Sequence, residues 1–318
     1  MGLTKHFFVI NPTAGKVDVS VKLTEKIDNL FKMLKEEYRI YITKGKEDAK
    51  NYCKDICKKE EGNLRFYAVG GDGTLNEVVN GVKGHEKASV GVLPYGTGND
   101  FIKNFDNKNF FDLKGQVLAE AEKVDLLRVK DTSCINICNI GFDAKVASNV
   151  NKFKKLPFIN GGTAYTLALF YSLIQRMHQN FEICLDDMEV IKGKFLLSTF
   201  SNGLSYGGGY KAAPLAQIND GLMDVCIVKK VSRFNLVKLL GVYKKGEHLD
   251  NEEIRKYIIY KKCKRVTIKS NNKFCISVDG EIFEDNKLEL SIEEEAINFL
   301  VPKVEEEIEI PSLSANNI

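Results

Sequence analysis

The chain has 318 residues, 44% of them hydrophobic and 28% charged, with a net charge of +3. That length suits one large or two medium domains, and the composition is that of a chain able to bury a core. So mild a positive balance gives no ground for a nucleic-acid partner, and none is expected, although a local basic patch stays open.

The apolar run Phe7–Ile10 is too short for a secretory signal, and nothing approaches the roughly 18–20 apolar residues that span a bilayer. The longest candidate, Ala164–Ile174, contains Thr166 and Ser172 and stops at Gln175-Arg176. A cytoplasmic protein whose membrane contact is peripheral is therefore expected. The eight cysteines form no Cys-x-x-Cys and share no zinc-ligand spacing with the four histidines. They read as reduced core residues, with Cys53 and Cys57 on one helix face and Cys134 and Cys138 on one strand face.

In chain order, Phe7–Ile10 ends at Asn11-Pro12 and reads as a buried strand. Leu23, Ile27, Leu30 and Leu34 recur at helical spacing. Tyr38–Ile42 is strand-like, Glu47–Lys59 helical, and Arg65–Val69 strand-like again. Leu75, Val78, Val79 and Val82 then form a helical stripe, followed by a strand over Ser89–Leu93. This alternation predicts a parallel sheet with helices on its faces. From about Val124 strand-like runs dominate: Leu126–Val129, Ile135–Ile140, Phe195–Phe200, Met223–Val228, Val266–Ile268, Phe274–Val278 and Leu288–Ile292. Helical stretches at Thr163–His178 and Phe234–Lys244 interrupt them. A second domain built on antiparallel sheets is expected.

Three glycine-rich segments follow strands of the first domain. They are Asn11-Pro12-Thr13-Ala14-Gly15-Lys16, Gly70-Gly71-Asp72-Gly73-Thr74-Leu75-Asn76-Glu77, and Pro94-Tyr95-Gly96-Thr97-Gly98-Asn99-Asp100-Phe101. Loops at the carboxyl ends of strands form the ligand crevice of an open α/β sheet. Glycine lets backbone amides approach phosphate oxygens, and a helix starting near Thr74 adds its positive end. Neither the P-loop fingerprint nor G-x-G-x-x-G opening a helix after the first strand is present, which argues against a P-loop ATPase and a standard NAD dehydrogenase.

The segments Gly70–Val78 and Gly96–Phe101, together with Asn11-Pro12 and Gly15, Pro214-x-Ala216 with Asp220-Gly221, and Val278-Asp279-Gly280-Glu281, resemble the diacylglycerol kinase catalytic family, in its bacterial branch. These five motifs stand in the family's order over roughly residues 4 to 300. The resemblance implies an N-terminal Rossmann-like nucleotide domain over 1–124, to which 297–318 returns. It also implies a C-terminal β-sandwich-like lipid-substrate domain with helices over 125–296, and an active site in the cleft between the two. The implied reaction moves the γ-phosphoryl group of ATP to a lipid hydroxyl, with diacylglycerol first among acceptors. Phosphatidylglycerol, a sphingoid base and a catalytically silent nucleotide- or lipid-binding protein are the alternatives.

By the same resemblance Asn11, Pro12, Thr13, Ala14, Gly15, Lys16, Thr43, Gly71, Asp72, Gly73, Thr74, Leu75, Asn76, Glu77 and Thr97 hold ATP. Asp72 holds the catalytic Mg²⁺, Asp125 supports that metal through water, and Glu281 is the base. Gln217, Asp220 and Leu222 match a loop that carries a second, structural Mg²⁺. The chemistry agrees, because phosphoryl transfer needs positioning and charge neutralisation, and Mg²⁺ takes few carboxylates and several waters. In an extended segment Asp279 and Glu281 face one side, so geometry alone leaves the base open between them. Asp220-Gly221 also makes a good turn without metal, as Asp279-Gly280 does. Lys103 stands where many relatives carry Arg, which keeps the charge and loses the bidentate fork. For membrane contact the candidates are Lys152, Lys154 and Lys155 around Phe153, with Leu156, Pro157 and Phe158, and the loop Tyr206–Lys211. A homodimer through a sheet edge or the acidic tail stays open.

Overall fold

The computed structural model describes residues 3–15, 17–153, 167–168, 171–172, 175 and 177–303. Lys16, the run from Lys154 to Phe158, most of the helix expected over Thr163–His178 and the acidic tail from Val304 lie outside the described residues. The chain divides into two compact units. Met1–Gly96, Phe105–Glu122 and Asn298–Ile318 form the first, and Thr97–Asn104 with Lys123–Ile297 form the second.

In the first unit, strands β1 (Thr4–Ile10), β2 (Glu37–Ile42), β3 (Asn63–Gly70) and β4 (Ala88–Pro94) lie in the order β4-β3-β1-β2, every pair parallel. Helices α1 (Ser20–Leu34), α2 (Asp48–Lys59) and α3 (Asp72–Val82) connect them. The inner strands read as unbroken apolar runs because each is covered on both faces: Phe7–Ile10 and Phe66–Gly70 are entirely buried. Phe8 stacks on Tyr67 with ring centroids 4.5 Å apart, and Phe7 on Phe66 at 5.0 Å. Helix α1 buries Leu23, Ile27, Leu30 and Phe31, a stripe at helical spacing. Helices α2 and α3 meet closely at Gly81, where a Cβ would come within 2.6 Å of the Lys50 carbonyl oxygen.

The last described strand, β13 (Glu281–Val301), ends in this unit: Asn298 and Phe299 pair in parallel with Ser89 and Val90 of β4. Gln116, fully buried in the short α4 (Leu113–Val117), clamps that segment. Its Oε1 accepts the Val92 N–H at 3.0 Å, and its Nε2 donates to the Leu300 carbonyl at 3.3 Å.

The second unit is built from β5 (Glu120–Val129), β6 (Thr132–Cys134), β7 (Ile137–Gly141), β8 (Gln179–Leu185), β9 (Glu189–Ser201), β10 (Met223–Lys229), β11 (Ile258–Cys263) and β12 (Arg265–Val278), with the first part of β13. Its strand order is β11-β10-β9-β7-β12-β13, and its pairings are antiparallel. Two long strands change partners along their length. Val266–Lys269 of β12 pair with β8, whereas Ile276–Val278 pair with β7, across a register shift between Lys269 and Phe274. Strand β9 likewise pairs with β8 through its first half and with β7 and β10 through its second. Strands that switch partners at irregularities are how a sheet folds over into a sandwich.

Side chains then alternate between two cores. On β10, Met223, Val225 and Ile227 enter one core, while Cys226 and Val228 enter the other, beneath α5 (Phe142–Phe153) and α6 (Arg233–Lys245). The strand pattern missed β6, β8 and β11, which are short or only half buried. Cys134 and Cys138 therefore lie on different strands, β6 and β7, not on one strand face. Among the described residues no helix is long and apolar enough to cross a membrane.

One boundary differs from the expected 1–124. Thr97–Asn104 packs with the second unit because Asp100 accepts the Gly208 N–H at 2.8 Å and the Asn104 side chain accepts the Leu204 N–H at 2.8 Å.

Replacing Gln116 with Leu strands a buried N–H and a buried carbonyl. The expected loss is about 2 kcal/mol, read as a lower urea midpoint at unchanged slope.

Candidate active site

At the carboxyl ends of β1, β3 and β4 three loops converge within the first unit. Asn11 is their hub. Its N–H donates to the Val69 carbonyl at 2.9 Å, its Nδ2 donates to Thr74 Oγ1 at 3.1 Å, and its Oδ1 accepts both the N–H and the hydroxyl of Thr13, at 3.1 and 2.9 Å. Gly15, at φ +76°, lies so close to the third loop that a Cβ would stand 2.3 Å from the Tyr95 carbonyl oxygen. The Gly96 N–H donates to the Gly70 carbonyl at 3.0 Å, and a Cβ on Gly71 would reach the Gly96 Cα at 3.1 Å.

Helix α3 starts at Asp72, two residues before the expected Thr74. Its N-cap, Gly71, is extended and has no side chain with which to cap it. The positive end of α3 and its first amides therefore open at the meeting point of the loops. Asp72 sits there, half-buried, with Gly73 exposed beside it. Leu75 is buried in the core, so any ligand contact it makes is through its backbone.

Thr43 is buried at the end of β2, its N–H bonded to the Ile10 carbonyl at 2.8 Å. The Glu77 carboxylate accepts the N–H groups of Glu47 and Ala49, at 2.9 and 3.2 Å, and so satisfies the start of α2. Thr97 is exposed and belongs to the second unit.

Three carboxylates of the second unit, Asp125, Asp279 and Asp220, are each engaged by neighbouring groups. Asp125, 1% exposed, lies inside β5. Its Oδ2 accepts the Gly221 N–H at 2.8 Å and its Oδ1 the Glu295 N–H at 2.7 Å. The Asp279 carboxylate accepts the N–H groups of Ile135, Asn136 and Ile137 at 2.8, 3.2 and 3.0 Å. The segment around Asp279 is not extended, which corrects the shared face with Glu281. Asp279 and Gly280, at φ +46° and +91°, turn β12 into β13, and Val278 pairs with Glu281. Glu281 itself is exposed.

The third is Asp220, half-buried, with Gln217 exposed nearby. The Asp220 Oδ2 stands 2.6 Å from Lys262 Nζ, which also lies 3.3 Å from the buried Asp224, while Asp220 Oδ1 accepts the Leu222 N–H at 3.1 Å. The Lys262 ammonium thus balances part of the negative charge beside Gln217, Asp220 and Leu222, the residues expected to hold a second cation. The first unit fits a cation. Mg²⁺ keeps several waters and needs one or two carboxylates, which Asp72 beside unblocked glycine backbone can supply. Among the described residues there is no group of three or more His, Cys, Asp or Glu arranged to hold a metal, and all eight cysteines are free.

Residues 5–129 match the family model described as the diacylglycerol kinase catalytic domain, and residues 136–301 match the one described as the YegS C-terminal NAD kinase beta sandwich-like domain. The chain belongs to the diacylglycerol kinase catalytic family. It is 31% identical over 278 residues to a diacylglycerol kinase of Staphylococcus carnosus, covering 86% of this chain and 87% of that one. It is 29% identical over 277 residues to a diacylglycerol kinase of Bacillus subtilis, covering 86% and 88%. The fold is also that of a crystal structure of a candidate diacylglycerol kinase from Bacillus anthracis, with a TM-score of 0.75, 22% identity, and 95% and 98% coverage. The protein is thus a lipid kinase of the diacylglycerol kinase type.

Two further groups of this lipid kinase stand out, and the second, Asp143, was not singled out from sequence. Lys103 forms an ion pair with Asp100, so the lysine at the family's arginine position is held by its own neighbour. Asp143, at the start of α5, accepts the Tyr206 hydroxyl at 2.7 Å and the Ala144 N–H at 2.9 Å. Tyr206, read as part of a membrane loop, is thereby turned onto Asp143. Burial pushes the Asp143 carboxyl up to about 7, against these hydrogen bonds. A single Asp ahead of a helical pattern carries no sequence signal that distinguishes it from a helix-starting residue.

Two outcomes follow from these carboxylates. Asp279→Ala orphans three loop N–H groups and should cost about 3 kcal/mol in denaturant unfolding, whereas Glu281→Gln, on the exposed side of the turn, should stay within about 0.5 kcal/mol. For Asp143 the folded state binds the proton more tightly than the unfolded chain, whose carboxyl titrates near the ordinary 3.8. Its stabilising contribution is complete below that value and is lost as pH rises through about 7. Asp143→Asn should therefore gain in melting temperature relative to the parent as pH rises from acidic to neutral.

Proposed function

We propose that this lipid kinase transfers the γ-phosphoryl group of ATP to the hydroxyl of diacylglycerol, producing phosphatidic acid for phospholipid metabolism. The observation that carries the reading is the convergence of the Asn11–Gly15, Gly70–Thr74 and Tyr95–Gly96 segments, where glycine leaves backbone open beside the N-terminus of α3. The names carried by the Staphylococcus and Bacillus relatives support the choice of acceptor.

In this reading the amides of Thr13–Gly15 and Gly71–Thr74 bind the nucleotide phosphates, with Lys16, Thr43, Asn76, Glu77 and Thr97 completing the binding set. Asp72 holds Mg²⁺, which when bound neutralises charge on the transferring phosphoryl group. Asn11 fixes the spacing of the loops through Thr74 and Thr13. Glu281 takes the proton of the acceptor hydroxyl as its oxygen bonds to the γ-phosphorus, and the bond to the bridging oxygen breaks to release ADP. Asp279 keeps Glu281 at a defined turn, and Asp125 holds the chain at Gly221 and Glu295. Such a division suits a reaction whose catalysis is mostly positioning and electrostatics.

The test is ADP release with Mg²⁺ and detergent-dispersed diacylglycerol. Glu281→Gln should lower kcat by roughly 10²–10⁴-fold while KM for ATP stays within about twofold, since only proton acceptance is removed. Asp72→Ala should abolish lipid-dependent release. Near-parental turnover in Glu281→Gln would remove Glu281 from the mechanism, and lipid-independent ADP release would refute the acceptor.

A further inference from the structure

A kinase acting on a lipid must meet its substrate at a bilayer, and α6 carries a face suited to that meeting. Leu236, Leu239 and Tyr243 of this helix are buried in the core. On its opposite side Phe234 and Val237 are 73% and 67% exposed, one turn apart. Gly241 continues the stripe with open space around it. Large apolar groups on the solvent side of a helix whose other side already fills a core have no folding role.

Charge says what covers this face. Residues 229–245 hold Lys229, Lys230, Arg233, Lys238, Lys244 and Lys245 and no carboxylate, in a chain whose whole net charge is only +3. Lys238 Nζ lies 5.6 Å from the centre of the Phe234 ring and 3.6 Å from Glu253, an exposed ion pair of the kind that exchanges readily. Lys244 lies over Tyr210 at 5.6 Å, which joins the helix to the glycine-rich Tyr206–Tyr210 loop.

We propose that the outer face of α6, with Phe234 and Val237 entering the headgroup boundary and the flanking Lys and Arg meeting lipid phosphates, docks this protein on an anionic bilayer. The inference rests on the reading of the protein as a lipid kinase. Apolar insertion and cationic attraction are each weak alone and act together in interfacial helices.

The experiment is co-sedimentation with vesicles of phosphatidylcholine, alone or mixed with phosphatidylglycerol. The parent should bind the mixed vesicles, lose binding as salt rises, and bind pure phosphatidylcholine far less. Phe234→Ser with Val237→Ser, and separately Arg233→Glu with Lys245→Glu, should each weaken binding to the mixed vesicles by about tenfold. Melting temperature should not change in either variant, because the altered residues are exposed. Both variants should keep parental kcat/KM on a short-chain diacylglycerol that dissolves as monomers, and lose turnover only on vesicles. Binding is read without turnover, so a failure of the diacylglycerol assignment leaves this test intact. Equal vesicle binding by parent and both variants would overturn the proposal. So would a parental dimer that the Ser variant splits while vesicle binding stays the same, since the face would then serve a second copy.

Discussion

Close approach of glycine backbone to neighbouring groups, leaving little or no room for a Cβ, is the constraint on which the first unit depends. Gly15 lies against the Tyr95 carbonyl, Gly71 against Gly96, and Gly70 against the Thr74 side chain, with Cβ distances of 2.3, 3.1 and 2.4 Å. Parallel strands make this possible, because β1, β3 and β4 all end on one edge of the sheet and deliver their loops to one place. Fully buried strands such as Phe7–Ile10 hold those ends in register, and Asn11 locks two of the loops through one side chain. In the proposed reading, loop amides brought together in this way form a preorganised surface for phosphate.

The second unit uses carboxylates for a different purpose. Asp125 and Asp279 spend their oxygens on backbone N–H groups, five in all, and hold turns and strand ends that would otherwise bury unmet donors. Lys262 does the converse for Asp220 and Asp224, supplying charge to two acidic groups of one loop and strand. At the β12–β13 turn Glu281 is exposed, one residue beyond the glycine of the turn.

Much of this was readable from residues alone where burial is two-sided or periodicity is long. The inner parallel strands stood out as apolar runs, and the helices α1 to α3 as stripes such as Leu23, Ile27 and Leu30. The β-rich half was harder. Strands β8 and β11 leave alternate or most side chains only partly buried, so their pattern is diluted, and the partner changes of β9 and β12 depend on register shifts that no local sequence encodes. The glycine segments suggested phosphate binding by composition, but their convergence comes from the sheet. The difference between Asp279 and Glu281 could not be read from spacing, because it arises from a turn with two residues at positive φ. Asp143 was silent for a similar reason: its environment is made by Tyr206, 63 residues away.

The α6 face completes the physical account, since a soluble phosphoryl donor and a bilayer-bound acceptor must be brought to one protein. Transfer of label from [γ-³²P]ATP to a panel of dispersed diacylglycerol, phosphatidylglycerol and sphingosine tests the central claim most directly. The account predicts labelled phosphatidic acid with Mg²⁺, and no label in the other lipids at matched concentration. Label in another lipid alone, or ATP binding with no labelled lipid at all, would contradict it.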